Sequence, residues 1–293
     1  MRATSKMKNQ VSIVIPAYNE EQGVSKQIMA IHEVMESSNW NYELILVDDG
    51  STDSTIEEIK KHDVKIIRLP ENRGYGAALK EGIFKAENDL IVITDADGTY
   101  PADAIPELLA KSNGYDMIVG ARITNDAKLP WERRPAKWIL RKLASYLAGY
   151  KIPDLNSGLR VMKKPVIERF FHILPSGFSF TTTITLCMLC NDYLVHYHPI
   201  SYAERIGKSK IRPIDTYHFF LLILRTIILF NPLKIFLPFG TLFFLLGFAK
   251  LVFVDFPLRN VSETAVLGFL AAFIIWAIGL LSDQIARVGL ARR

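Results

Sequence analysis

The sequence predicts an α/β fold, a mainly parallel sheet with helices on both faces, followed by a two-helix hairpin that crosses a membrane. Three observations carry this. Short β-branched and aliphatic runs alternate with helix-periodic stretches over residues 11–120, the pattern of a parallel sheet covered on both faces. Two almost uncharged segments, 235–254 and 265–281, stand near the end of the chain, and about 20 apolar residues are enough for a helix to span a bilayer. The 293 residues are 49% hydrophobic with mean hydropathy +0.16, so a full core can be built with apolar sequence left over.

VSIVIP (Val11 to Pro16) is the first strand, and the helix after it places Val24, Ile28, Ile31 and Met35 on one face, a spacing of four, three and four. LILVDD (Leu44 to Asp49), KIIRL (Lys65 to Leu69), LIVIT (Leu90 to Thr94) and DMIVG (Asp116 to Gly120) follow as the second to fifth strands. No internal repeat or low-complexity tract interrupts them. Pro213 to Phe230 is expected to be an amphipathic interfacial helix, since Arg225 breaks what would otherwise be a third span. The expected divisions are a soluble domain at 1–211, the interfacial helix at 212–231 and the hairpin at 232–293.

Charge sets the expected orientation. The linker Asp255 to Thr264 holds one basic residue, Arg259, whereas Arg287, Arg292 and Arg293 follow the second span and a basic stretch precedes the first. Basic flanks stay cytoplasmic, so both termini and the soluble domain belong on that side. That is the plasma membrane of a prokaryote or the endoplasmic reticulum of a eukaryote. Lys250, inside the first span, is close enough to its end to snorkel. The polar start, Met1 to Gln10, precedes only a short strand, which does not read as a secretory signal. Two cysteines, Cys187 and Cys190, fit a reducing compartment.

The formal charge of +5 is concentrated: residues 121–142 hold seven Lys or Arg against two acids, with Trp131 and Trp138 interleaved. Basic groups with tryptophan suit a membrane interface. Ile139, Leu140, Leu143, Tyr146 and Leu147 then mark an amphipathic helix, lying on the bilayer or packed on the core with a solvated basic face. No nucleic-acid module is present, so nucleic acid is not an expected partner.

The chemistry is written at the strand ends. In IVITDADGTYP (Ile91 to Pro101) a strand delivers Asp95 and Asp97, separated by Ala96, to a sheet edge. Residues i and i+2 of an extended chain face the same side. A hard divalent cation, Mg2+ or Mn2+, takes such oxygen ligands and completes its shell with phosphates and water; a solvated acidic turn is the plainer alternative. Ligands of open α/β sheets bind beyond the carboxyl ends of the strands. There the chain places Pro16, Ala17, Tyr18, Asn19 and Glu20, then Asp48, Asp49, Gly50 and Ser51, then Asn72, Arg73 and Gly74. Carboxylates accept from a base N–H and ribose hydroxyls, an aromatic stacks on the base, and cations meet a diphosphate. Two other patterns are set aside. Cys187 and Cys190 with His196 and His198 are not a zinc set, since the cysteines lie in an apolar helical run. Gly74-Tyr75-Gly76 is not a dinucleotide fingerprint, since it follows the third strand and Leu79 occupies the position needing a small residue.

VSIVIPAYNE, LILVDDGSTDST, NRGYGAALKEG and ITDADGTYP resemble the motifs of glycosyltransferase family 2, whose fold is GT-A. VGAR (Val119 to Arg122), LNSGLRVMKK (Leu155 to Lys164) and SYAERIGKSKI (Ser201 to Ile211), followed by a hairpin, resemble the branch that makes polyprenyl-phosphate sugars, including dolichyl-phosphate mannose and glucose synthases. The resemblance implies that Asp48 and Asp49 contact the nucleoside and that Asp95 and Asp97 hold the metal and diphosphate. It assigns Arg122, Arg133, Arg134, Ser157, Arg160, Arg205, Lys208 and Lys210 to the phosphates of donor or acceptor, Arg122 and Arg160 among the catalytic groups. It departs at Thr99, where many relatives carry glutamine, and in SFTTTITL (Ser179 to Leu186), where a number place an acid.

A general base is unnecessary on physical grounds, because a phosphate monoester has a second pKa near ~6 and is already nucleophilic at neutral pH. One displacement with inversion is expected, positioned in line and stabilised at the leaving diphosphate. By resemblance DADG favours a UDP-sugar donor, with GDP-mannose the alternative. A processive polysaccharide synthase would carry a Gln-x-x-Arg-Trp element, but the similar string Gln284 to Val288 lacks the tryptophan. A catalytically silent nucleotide-binding scaffold is the rival from another class. A homo-oligomer is left open.

Overall fold

The computed structural model describes residues 9–122, 141–146, 148–177, 179–201 and 213–291, except for the side chains of 213–219, 222 and 289–291. Trp131, Arg133, Arg134, Trp138, Arg205, Lys208 and Lys210 lie outside the described residues.

A seven-stranded sheet forms the centre, in the order β3-β2-β1-β4-β6-β5-β7. The strands are β1 (Gln10–Ala17), β2 (Asn41–Asp48), β3 (Lys65–Arg68), β4 (Leu90–Ile93), β5 (Met117–Ala121), β6 (Arg160–Lys163) and β7 (Val195–Pro199). Between them run α1 (Val24–Glu36), α2 (Thr55–Ile59), α3 (Tyr75–Lys85), α4 (Ala104–Ala110), a helical stretch at 141–146 (α5), α6 (Lys164–Glu168) and α7 (Phe180–Cys190).

Strands β3, β2, β1 and β4 are mutually parallel, as their sequences predict. The fifth predicted strand does not pair with the fourth. β6 lies between them, antiparallel to both, and β7 is parallel to β5. Sequence periodicity misses both added strands for a physical reason: RVMK and VHYHP are short and carry charged or polar residues, without an apolar run to announce them. The inserted strand matters for the site. Because β6 runs against β4 and pairs Arg160 with Ile93, the loop entering β6 arrives at the carboxyl end of β4, beside Asp95.

Alternation along the strands divides the core. Val11, Ile13 and Ile15 bury against Val24, Ile28, Ile31 and Met35, the face predicted for α1. Val14, Ile45 and Val47 meet Ala78, Leu79 and Ile83 of α3 on the opposite face, with Phe180 and Ile184 of α7 in the same cluster.

A third cluster seats α8 (Pro213–Phe230) on the domain: Ile223 and Ile227 bury with Leu186 and Leu189 of α7 and with Ala144, Ala148 and Ile152. Phe220, Ile228 and Leu229 of α8 remain exposed. In α5 the apolar side therefore divides, Leu143 and Ala144 packing inward while Tyr146 stays exposed.

The hairpin is α9 (Leu233–Lys250), a π-helical turn at Leu251–Asp255, and α10 (Glu263–Ala291). Two segments, Leu233–Asp255 and Glu263–Val288, are long and apolar enough to cross a membrane, each longer than the predicted stretch. The helices meet through glycine: a Cβ at Gly268 would stand 3.0 Å from the Cα of Gly247. Lys250 is paired at the turn, its Nζ 3.2 Å from Asp255 Oδ1, while Asp255 Oδ2 accepts from the Ser262 N–H at 2.9 Å.

Candidate active site

The loops after β1 and β2 are joined to each other by side-chain to backbone hydrogen bonds. Asn19, in the left-handed region at φ 52°, accepts at Oδ1 from the Thr52 N–H at 2.9 Å, and its own N–H donates to Ser51 Oγ at 3.0 Å. Asparagine tolerates that backbone better than most residues. The Glu20 N–H donates to Thr55 Oγ1 at 2.8 Å. Gly50 turns at φ 72° against Glu71 and Asn72, where a Cβ would collide with backbone.

The neighbouring carboxylates Asp48 and Asp49 differ. Asp49 accepts from the Arg73 and Gly74 N–H groups, each at 2.8 Å, so it fixes the loop after β3. Asp48 is wholly buried; its Oδ1 accepts from the Ser51 N–H at 2.9 Å, while Oδ2 has no hydrogen bond. Arg68 Nε stands 3.4 Å from that oxygen, close enough for charge attraction but not aligned to donate. A buried acceptor left in this state is costly, and a ligand N–H would relieve it.

Asp95 and Asp97 leave β4 in a turn rather than on an extended strand, which ends at Ile93, so strand alternation is not what groups them. Separate donors hold them instead. The Tyr75 hydroxyl donates to Asp95 Oδ1 at 2.9 Å. Thr99 donates to Asp97 Oδ1 from its N–H at 3.1 Å and from Oγ1 at 2.6 Å. Thr99 is buried, and its two hydrogen bonds orient Asp97. Both carboxylates are half-buried. Among the described residues there is no group of three or more His, Cys, Asp or Glu arranged for a metal. Two hard oxygen donors fit a divalent ion that takes its other ligands from phosphate and water.

The loop entering β6 places two of the residues assigned to phosphate by resemblance. Arg160 is the bulkiest side chain fully buried among the described residues. Its Nε donates to Ser157 O at 2.8 Å, Nη2 to Leu155 O at 3.0 Å and Nη1 to Thr185 Oγ1 at 2.6 Å. A guanidinium so placed holds the 155–157 backbone. Ser157 is likewise buried, with Oγ donating to Gly120 O. Arg122 is only partly exposed, and Asp154 engages it at Nε (2.7 Å) and Nη2 (2.8 Å). Burial works to raise the Asp154 pKa, but the hydrogen bonds and charge of Arg122 outweigh it and hold the carboxyl well below the usual range. Asp154 and Tyr75 are the partners of candidate site residues that sequence reasoning missed. The first is announced only by a Pro-Asp turn, and the second lies hidden inside NRGYGA.

The two patterns set aside have structural roles. Gly74 (φ 97°) and Gly76 let the start of α3 press on the 175–177 segment, and the Gly76 and Ala77 N–H groups donate to Ser176 O. Cys187 belongs to the core and burial pushes the Cys190 thiol up to about 11. His196 stacks on Tyr115, whereas His198 Nε2 stands 2.8 Å from Glu107.

Residues 12–171 match the family model described as glycosyl transferase family 2. The chain belongs to that family. Residues 231–288 match a second model, the GtrB C-terminal hairpin, so this glycosyltransferase carries a hairpin of GtrB type. It is 31% identical over 205 residues to a dolichyl-phosphate hexose transferase of Haloferax volcanii, covering 69% of this chain and 87% of that protein. It is 28% identical over 306 residues to an undecaprenyl-phosphate 4-deoxy-4-formamido-L-arabinose transferase of Enterobacter sp., covering 96% and 89%. Among solved structures it resembles the glucosyl-3-phosphoglycerate synthase of Mycobacterium tuberculosis in complex with Mn2+, UDP-glucose and phosphoglyceric acid. The TM-score is 0.60 at 18% identity, over 75% of this chain and 80% of that one. At that identity the likeness concerns the fold, a GT-A-like mixed sheet.

Proposed function

We propose that this glycosyltransferase moves one sugar from a nucleotide-sugar, a UDP-sugar in preference to GDP-mannose, to polyprenyl phosphate at the cytoplasmic face of a membrane. The observation that carries the reading is the union, in one chain, of a family 2 domain with a GtrB-type hairpin, an arrangement extending over 96% of this chain in a relative named for undecaprenyl phosphate. A lipid acceptor explains why a sugar-transfer domain is attached to two membrane helices.

The residues divide the work. Asp48 Oδ2 is the acceptor for a base N–H, and the loops carrying Tyr18, Asn19, Asn72 and Gly74 enclose the nucleoside. The 72–74 loop, locked by Asp49, presents Arg73 to the diphosphate. Asp95 and Asp97 would hold Mg2+ or Mn2+, which when bound supplies positive charge to the departing nucleoside diphosphate. Arg122, oriented by Asp154, adds positive charge near the acceptor, with Arg133, Arg134, Arg205, Lys208 and Lys210 assigned there by resemblance. The acceptor phosphate carries its own nucleophilic oxygen above a pKa near ~6. No acid is needed in α7, where Thr182 donates to Asn156 and Thr185 receives Arg160. The carbon–oxygen bond to the nucleoside diphosphate breaks as the phosphate oxygen bonds the anomeric carbon from the opposite side, which inverts configuration.

The test is a panel of UDP- and GDP-sugars offered to the full-length protein with polyprenyl phosphate, and NMR assignment of the product's anomeric carbon. Release of UDP that requires the lipid, with an inverted product, supports the reading. Release of GDP alone overturns the donor preference, and a retained configuration overturns the single displacement.

A further inference from the structure

Asp95 is held from two sides by groups that sequence motifs do not connect. On one side is Tyr75, the first residue of α3, whose hydroxyl donates to Asp95 Oδ1 at 2.9 Å. On the other is the backbone of Gly158: a Cβ built there would stand 2.8 Å from both carboxylate oxygens. The carboxylate thus rests on the one residue type that leaves it room. Gly158 is itself fixed. Its N–H donates to the Tyr100 hydroxyl at 2.6 Å, and Arg160 clamps the preceding backbone through Ser157 O and Leu155 O. Arg160 in turn is anchored to α7 through Thr185.

We infer that Tyr75 and Gly158 form a clamp that sets the Asp95 carboxylate for the divalent cation, with Arg160 as the buried brace that keeps Gly158 in place. Tyr75 is a positioning residue: it touches Asp95 and acts through it. A charged carboxylate ordered before the ion arrives need not be ordered by it, and a hydrogen bond to a charged group is among the stronger ones. The inference rests on the proposed reading of Asp95 as a metal ligand.

The test is Mn2+ binding to the full-length protein in detergent with saturating UDP, followed by the electron paramagnetic resonance signal of unbound Mn2+. Four proteins are compared: wild type, Tyr75→Phe, Gly158→Ala and Asp95→Asn. Metal-free UDP affinity and thermal unfolding are recorded for each. Tyr75→Phe keeps the ring and is expected to weaken Mn2+ binding about tenfold, the scale of one hydrogen bond to a charged group, with UDP affinity and melting unchanged and sugar transfer restored by excess Mn2+. Gly158→Ala is expected to weaken it further. Asp95→Asn is expected to abolish it. If Asp95→Asn loses Mn2+ while both Tyr75→Phe and Gly158→Ala bind it as wild type does, the clamp is overturned and the metal reading stands. If Asp95→Asn binds Mn2+ normally, the metal reading itself falls. A Tyr75→Phe protein that loses metal-free UDP affinity in proportion shows a general role in folding the site and overturns the clamp as well.

Discussion

The sheet domain and the hairpin use the same apolar residue types in opposite directions. In the domain the large side chains are inside: Ile13, Ile15, Ile45 and Leu46 are fully buried. In the hairpin they point out, with Leu246 58% and Leu267 63% exposed, while the buried positions include Gly240, Gly247, Ala265 and Ala272. Water drives the first arrangement. The second needs a surrounding medium as apolar as leucine, in which helices associate by close backbone packing at small residues. The difference is that expected of two solvents along one chain, and α8 combines both patterns, buried along Ile223 and Ile227 yet exposed at Phe220 and Leu229.

The comparison can be tested from its largest effect downward. Asp97→Asn is expected to lower sugar transfer about a thousandfold, the upper range for losing a designed electrostatic contact, while thermal unfolding and membrane insertion stay as in wild type. A change in insertion would show that site and hairpin are not separable. Asp154→Asn is expected to cost about 3 kcal/mol by denaturant unfolding, because it strands a partly buried Arg122. The same carboxylate sets a pH dependence. Its folded pKa lies well below the unfolded value of about 3.9, so its contribution is complete above about pH 4 and is lost as pH falls through the depressed folded value. Stability profiles of wild type and Asp154→Asn should therefore converge on acidification.

The same substitution placed in the two regions gives a sharper contrast. Leu46→Ala, in the sheet, is expected to cost about 3 kcal/mol through lost burial and the cavity left behind. Leu246→Ala, on the exposed face of α9, is expected to cost under about 1 kcal/mol in detergent. Equal costs would mean that the hairpin face is buried in a protein interface. Gly268→Leu inserts a side chain where the helices nearly touch, and overpacking of about 2 kcal/mol is expected from the thermal inactivation of the detergent-solubilised protein. The smallest effect belongs to Arg287→Ala, which removes an exposed arginine paired with Asp283 one turn away and is expected to change stability by about 0.3 kcal/mol.

Much of this is legible in the residues. The four parallel strands announce themselves as apolar runs, the face of α1 as a four-three-four spacing, and the spans as absence of charge. The loops holding Asp48, Asp49, Asp95 and Asp97 follow from the strand ends. What is not legible is long-range pairing: β6 is a four-residue strand beginning with a buried arginine, and nothing local says that it inserts between β4 and β5. The resemblance sends Arg160 and Ser157 to a phosphate, and nothing in their spacing says that both side chains are buried and bonded to backbone carbonyls. Thr99 and Tyr75 are opaque for the same reason, because orienting a carboxylate leaves no pattern in spacing.

The reaction proposed for this chain is the transfer of a single sugar to a lipid phosphate. Its most direct test is mass spectrometry of the lipid fraction after the purified full-length protein is incubated with polyprenyl phosphate, Mg2+ or Mn2+ and a panel of UDP- and GDP-sugars, beside the Asp97→Asn protein. The account predicts a polyprenyl phosphate heavier by one sugar residue, formed by the wild type and nearly absent with the variant. A lipid carrying a series of added sugars, or no mass gain with any donor despite measured nucleotide binding, would contradict it.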